Sequence, residues 1–362
     1  MIEIKKPKIE RIAKGVKPLC YLPDGKLVCY RHGWLLIYNG TVIVSRDKIF
    51  NSLKECFLSR DRLLFRALRL GVRSGFAINN EVVLLSISNS IYEYNLATKS
   101  LSNGFCLSER IRPLAFTEIK KIPGFQEGIV FGGYLVNPSK KPVCIYRRKG
   151  VDQWEVIYTF KEGAINHVHN IVPDPIRECV WILTGDSDDS AAIWRTSDDF
   201  RSLHCVKSGN QKYRACFAFS IKEGLLLATD SPNDQNWIEI LKENGELDQV
   251  CTISGSCIYG CKWGSKIVLS STVEPDSTIK RSLIKGLLNR EKGSGIQDYY
   301  SHIYIGDLIS GFVDVVQFKK DFLPYSFQLG TTMFPAGENS SGVLICYPVA
   351  TSFDNSLIAI SL

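Results

Sequence analysis

The sequence predicts an all-β fold, a seven-bladed β-propeller in a single domain. Short β-rich runs are split by turn dipeptides such as Asp24-Gly25, Asn39-Gly40 and Asn79-Asn80, which tolerate the positive φ that hairpin turns require. These runs recur in units of about 40–60 residues with three or four strands each, the spacing of propeller blades rather than of a sandwich. Neither long helical periodicity nor strand–helix alternation competes with that pattern.

Taken in order, the units span about 14–45, 66–106, 110–160, 165–208, 211–253, 256–323 and 325–362. The last supplies only three strands, so the N-terminal segment at 2–12 is expected to complete its sheet, closing the ring and removing two free edges. Apolar positions in Asp47–Leu58 fit helical better than strand spacing, which predicts a helical insertion over about 46–60. A second insertion, at about 273–300 within blade six, places Ile279, Leu283, Ile284, Leu287 and Leu288 at helical spacing. It is read as a lid or docking element on the propeller. A basic amphipathic surface at 277–290 resting on a membrane is the weaker reading, since the segment is short and Gly286 interrupts it.

With 45% hydrophobic and 22% charged residues, the 362-residue chain can bury a sizeable core. No apolar window approaches the roughly 18 residues of a membrane span, and the charged N-terminus lacks a signal-like core, so the expected address is the cytoplasm. The 12 cysteines lie scattered in strand segments without a CxxC pair, as buried free thiols do. A net charge of +7 is modest for this length, and nucleic acid is not expected as a partner.

Laying the inner-strand starts over one another puts Lys17, Arg73, Arg112, His169 and Arg214 in register over five consecutive blades, with Gly260 and Gly330 in the remaining two. Loops expected on the same face carry Tyr134, Asn137, Asp186, Asp188, Asp189, Asp230, Asn236, Glu274 and Asp276. Guanidinium forks suit carboxylate or phosphate, so a funnel of this kind fits an anionic ligand. The simpler reading is a set of Arg–Asp pairs plugging a wet channel.

Asn166-His167-Val168-His169-Asn170 sets two histidines on one strand face. They are candidate general bases, since imidazole titrates near neutrality. No metal or other cofactor is expected, because the pair lacks an obvious third ligand, although Asp186 or His204 could contribute one. Asp186 and Asp230 end equivalent strands in adjacent blades, as acid–base candidates or as turn-capping carboxylates. The candidate catalytic residues are thus His169, His167, Asp186 and Asp230, and the candidate ligand-binding residues Arg73, Arg112, Arg214, Lys17, Tyr134 and Asn236. His32 and His302 fall outside the register and are expected at the surface.

Thr196-Ser-Asp198-Asp-Phe-Arg-Ser202-Leu203 is a degenerate Asp-box, with Phe200 and Leu203 in place of the usual Gly and Trp. Together with His167-Val-His-Asn170, Asp174-Pro175, Trp181–Asp186 and Tyr213-Arg-Ala215, it makes residues 112–240 resemble propellers of the sialidase-like, or BNR-repeat, superfamily. That resemblance implies a six- or seven-bladed propeller, frequently one handling acidic sugars. The arginine triad and the Phe/Tyr-Arg-Ile-Pro motif of true sialidases are not reproduced: the nearest match is Ile111-Arg112-Pro113-Leu114.

The expected function is binding of an anionic saccharide, uronate- or sialate-like, in the central funnel, with processing by a lyase or a glycoside hydrolase. The alternative is a non-catalytic propeller that binds an anionic glycan or a protein partner through the same face.

Overall fold

The computed structural model describes residues 7–50, 56–108, 111–276, 282–339 and 341–362. Seven antiparallel sheets follow one another around a ring. Their inner strands are Lys17–Tyr21, Ser74–Ala77, Thr117–Ile119, His167–Asp174, Ala215–Ile221, Ser256–Trp263 and Thr331–Met333. The strand Lys8–Lys14 pairs antiparallel with Ser356–Ser361, from Lys8 opposite Ser361 to Lys14 opposite Ser356. The first strand therefore completes the last sheet, as expected.

The second strands explain why alternation is weak in this sequence. Cys179–Gly185 and Gly224–Thr229 are buried along their whole length, because each faces a neighbouring blade on either side. Continuous apolar runs result. Outer strands such as Leu247–Ile253 are half-exposed and mix polar with apolar residues. The core accordingly lies between blades: Phe116, Phe131 and Trp154 form edge and tilted contacts, and Phe131 stacks on Tyr146 at 4.8 Å. A fully buried ring such as Phe131 contributes roughly 1.5–3 kcal/mol relative to an exposed one.

His167 pairs with Gly185, and the Asp230 N–H donates to the Arg214 carbonyl at 2.9 Å. The start of an inner strand and the turn after the second strand thus share one end of the ring, which is where the sequence places its polar funnel. Of the first helical insertion, expected over about 46–60, residues 51–55 lie outside the described residues and Leu58–Arg60 forms a 3-10 turn. Residues 46–48 continue the outer strand Val42–Lys48, where Arg46, Asp47 and Lys48 pair with Leu36, Leu35 and Trp34. An α-helix follows at Arg62–Ala67, started by Asp61, whose carboxylate accepts from the Leu64 N–H at 2.8 Å. In blade six a helix spans Leu283–Leu287, and residues 277–281 of that insertion lie outside the described residues. The chain beyond this helix is docked: Tyr325 N donates to Asn289 O, and Ile296 packs with Val273 and Tyr325. Among the described residues no helix is long and apolar enough to cross a membrane.

His302 is a correction to the expected surface histidine. It is buried, with Nδ1 at 2.7 Å from Asp314 Oδ2 and Nε2 at 3.0 Å from Asp298 Oδ1, because its strand faces the outer strand of the same blade. His32 is half-buried and bonds to Ser59 at 3.1 Å.

Candidate functional site

β-Bulges set the register of the channel. In four blades one inner-strand residue is skipped by the ladder: Leu19, His169, Cys216 and Ile258. Counting back two residues from each aligns Lys17, His167, Arg214 and Ser256. His167, not His169, is therefore the counterpart of Lys17 and Arg214, and Gly260 lies further down its strand, opposite Leu269. A bulge re-aims the side chain it carries, and this turns His169 toward its neighbour His167.

The two imidazoles meet at 3.0 Å between their Nε2 atoms, and each Nε2 lies 3.3 Å from Asp186 Oδ1. His167 Nδ1 sits 2.9 Å from Leu135 O, and His169 Nδ1 sits 3.0 Å from Ala215 O. Tyr134 covers the His167 ring at a centroid distance of 4.1 Å. Gly185 is required beside them, since a Cβ there would come within 2.3 Å of His169 Cε1. Asn166 holds the carboxylate-bearing turn: its Oδ1 accepts from Asp186 N at 3.0 Å and Ser187 N at 3.1 Å. Burial lowers the pKa of His167 and outweighs the attraction of Asp186. For Asp186 burial works in the opposite sense, but its close contacts with the two histidine rings and the nearby Arg214 charge hold its carboxyl well below the usual carboxylate range. Its side chain is nonetheless 51% exposed, so it faces the channel mouth.

Beside this cluster Arg214 is tied to two acids. Its Nε donates to Asp230 Oδ2 at 3.1 Å, and an Nη lies 3.3 Å from Asp186 Oδ1. Asp230 is 1% exposed and also accepts from the Cys216 thiol at 3.2 Å. Glu274 is buried close by, and burial together with Asp230 pushes its carboxyl up to about 8. The plug reading thus holds for this half of the channel. Arg214 is engaged by protein carboxylates, and Asp230 is not open to a substrate.

The opposite half is different. Arg73 and Arg112, with Arg69 reaching in from just beyond the helix Arg62–Ala67, make no ion pair with a carboxylate among the described residues. Arg112 lies 5.1 Å from the Tyr134 ring centroid, and Arg73 Nε is buried without a hydrogen-bond partner. Burial, then the like charges of Arg112 and Arg69, bring Arg73 down to about 10. Tyr259 stands on the same wall, its hydroxyl raised to about 12 by burial and by Cys216. Lys17 does not join these cations as a free group. Its Nζ donates to Val72 O at 2.9 Å and Arg73 O at 2.8 Å, and burial followed by the Arg73 charge lowers it to about 7.

Asn236 also departs from expectation. It is fully buried, bonding through Oδ1 to Thr229 and Ser231 and through Nδ2 to the carbonyls of Ser231 and Asp234, so it holds the 231–235 loop and meets no ligand. Cys216, Tyr259, Arg69 and Asn166 were absent from the sequence-derived site. Only the bulge brings Cys216 beside Asp230, and only the ring brings Arg69 and Tyr259 to the axis. A second concavity, on blade one, is lined by Arg31, His32, Trp34, Leu36, Arg46 and Arg60. It lacks the convergent histidines and carboxylates of the channel, which is why the channel is the stronger candidate.

The degenerate Asp-box behaves as a turn staple. Asp198 accepts from Ser202 N at 3.0 Å and Ser202 Oγ at 2.6 Å, and Phe200 inserts against Phe125 at 6.1 Å. Phe200 in the usual Gly position is thus a packing residue between blades, and the box lies away from the channel.

No family model and no curated protein matches the sequence. Solved structures match the fold: a chain in the crystal structure of a mitotic checkpoint complex superposes over 100% of this chain and 94% of its own, with a TM-score of 0.56 at 9% identity. A likeness at that identity shows the propeller alone. The sialidase-like resemblance is upheld in its fold and not in its family.

Proposed function

We propose that the protein binds an anionic saccharide, uronate- or sialate-like, at the mouth of its channel. One observation carries this reading: Arg73, Arg112 and Arg69 gather on one wall without carboxylate partners among the described residues, while the acids and histidines gather on the other. The planar guanidinium forks of Arg73 and Arg112 suit a sugar carboxylate. Tyr134 and Tyr259 offer ring faces and hydroxyls, and Asp186 can accept from sugar hydroxyls.

If the ligand is turned over, the arrangement favours elimination over hydrolysis. Arginines that neutralise a uronate carboxylate lower the cost of removing the adjacent proton, and an imidazole Nε2 with a free lone pair is a suitable base. Hydrolysis by paired carboxylates needs two accessible acids, and Asp230 is buried on Arg214 and Cys216. Calorimetric titration with galacturonate and N-acetylneuraminate, against galactose as the neutral control, tests the binding. Arg73→Ala and Arg112→Ala should each weaken acidic-sugar binding at least about tenfold, equivalent to about 1.4 kcal/mol. Equal binding of galactose, or none of the acidic sugars bound, would defeat the proposal.

A further inference from the structure

The contact between His167 and His169 has a chemical consequence that hydrogen bonding alone does not satisfy. A backbone carbonyl only accepts, so the contacts of His167 Nδ1 with Leu135 O (2.9 Å) and of His169 Nδ1 with Ala215 O (3.0 Å) place the ring proton on Nδ1 in both residues. Each neutral ring then has a bare lone pair on Nε2. These two lone pairs face each other at 3.0 Å, and an oxygen of the Asp186 carboxylate lies 3.3 Å from both. Three electron-pair donors thus converge with no proton between them. Such a set is held together by a positive centre among the three atoms, either a proton on one Nε2 or a metal ion.

The dimensions fit a metal ion. Bonds of about 2.1 Å give ligand–ligand edges of about 3.0 Å at octahedral and about 3.4 Å at tetrahedral angles. The three edges here are 3.0, 3.3 and 3.3 Å. The surroundings fit as well, since metal-binding histidines typically donate the other ring N–H to a carbonyl or carboxylate, which fixes tautomer and plane. His167 and His169 both do so. Their side chains are 3% and 2% exposed, whereas that of Asp186 is 51% exposed, so a remaining coordination position would open toward the channel mouth. Arg214 also approaches Asp186 Oδ1, at 3.3 Å, but Asp230 anchors it from the other side, and Asp186 Oδ2 is a further acceptor.

The geometry points to a binding site for one divalent first-row transition ion, formed by His167 Nε2, His169 Nε2 and Asp186 Oδ1. Two imidazoles and a single carboxylate select such ions over magnesium or calcium, which prefer all-oxygen sites. A neighbouring set, His169 with Cys216 and Asp230, also lies within ligand range of itself. It is the poorer site, because the Cys216 thiol is already donated to Asp230 and is held protonated by burial. A bound ion would take up the Nε2 lone pairs that the elimination reading gives to a base but would leave the arginine wall untouched, and the test contains no sugar.

The full-length protein, stripped with a chelator, is titrated with Zn²⁺ and its bound metal is measured by elemental analysis. One zinc per chain is expected, with magnesium unable to displace it. His167→Gln and His169→Gln should each lower zinc affinity by more than the roughly 10–100-fold that loss of an outer-shell partner costs, and Cys216→Ser should leave it unchanged. Circular dichroism checks that the variants fold. Cobalt substitution of the unmutated protein provides a readout independent of any variant: d–d bands without a thiolate-to-cobalt charge-transfer band are expected. Substoichiometric zinc, zinc binding unchanged in both histidine variants, or a thiolate charge-transfer band would each overturn the assignment.

Discussion

At the scale of single residues, the site depends on two small departures from regular strand geometry. The bulge at His169 brings its ring to His167, and the missing side chain at Gly185 leaves room for that ring. Gly185→Ala would drive a methyl group into the imidazole. The expected cost is about 1–3 kcal/mol in urea unfolding, together with weakened zinc binding although every ligand is retained. An unchanged unfolding midpoint would show that the ring can move aside freely. His302 allows a separate test. Burial opposes its charge, but the bonds to Asp314 and Asp298 prevail and raise its pKa above the ordinary value. A raised histidine pKa contributes stability that is full below the unfolded value of about 6.5 and is lost as pH rises through the folded one. His302→Gln should therefore destabilise the protein more at about pH 5.5 than at about pH 9. Equal penalties at the two pH values would contradict the ion-pair assignment.

At the scale of elements, the helix Arg62–Ala67 ties the blade-one-to-blade-two connection to blade seven. Arg66 is 2% exposed, with Nε donating to Phe327 O at 2.6 Å and an Nη placed between Asp321 and Asp354. Asp354 is itself nearly buried, and removing the guanidinium leaves it only the half-exposed Arg62, at 3.4 Å. Arg66→Met is expected to cost about 3–5 kcal/mol by chemical denaturation. Replacing Asp354 with Asn in the same chain should recover part of that loss, because the uncompensated charge disappears. No recovery would mean that packing, not charge, makes Arg66 matter. The connection matters for the site because Arg69, two residues beyond this helix, contributes to the cationic wall.

At the scale of the whole molecule, closure of the ring sets the environment of the channel. Lys8–Lys14 supplies the outer strand of blade seven, and Ile9, Ile12 and Ala13 pack against the neighbouring core. Deleting residues 1–14 would expose the edge of Ser356–Ser361 and allow edge-to-edge association. We expect the melting temperature to fall by about 10 °C or more, since a strand's loss amounts to several kcal/mol, and calorimetry with size-exclusion chromatography would show both effects. A melt equal to that of the full chain would mean that the other six sheets hold the ring unaided. Closure also divides the axis: Arg69, Arg73 and Arg112 come from the blade-one-to-blade-two connection and from blades two and three, and blades four to six present histidines, acids and the paired Arg214.

Blade count, N-terminal closure and the presence of a polar end were all legible in the sequence. Each follows from local chemistry, namely turn dipeptides, β-rich runs and a last unit one strand short. The pair His167 and His169 and the acids Asp186 and Asp230 were also legible as types. Their partners were not. A bulge carries no sequence mark, which hid Cys216, and two histidines at alternate positions of one strand offered two registers for blade four, of which the ladder selects His167. Burial of Asn236 and His302 depends on the loops and strands packed over them. Whether a cation is free or paired is settled across blades: Arg73 and Arg112 face other arginines, while Arg214 meets Asp186 and Asp230. The one-dimensional pattern determined which chemistries were present, and the closed ring decided which of them touch, because contacts at the axis join one blade to the next, as His167 with Leu135 and His169 with Ala215 show at separations of 32 and 46.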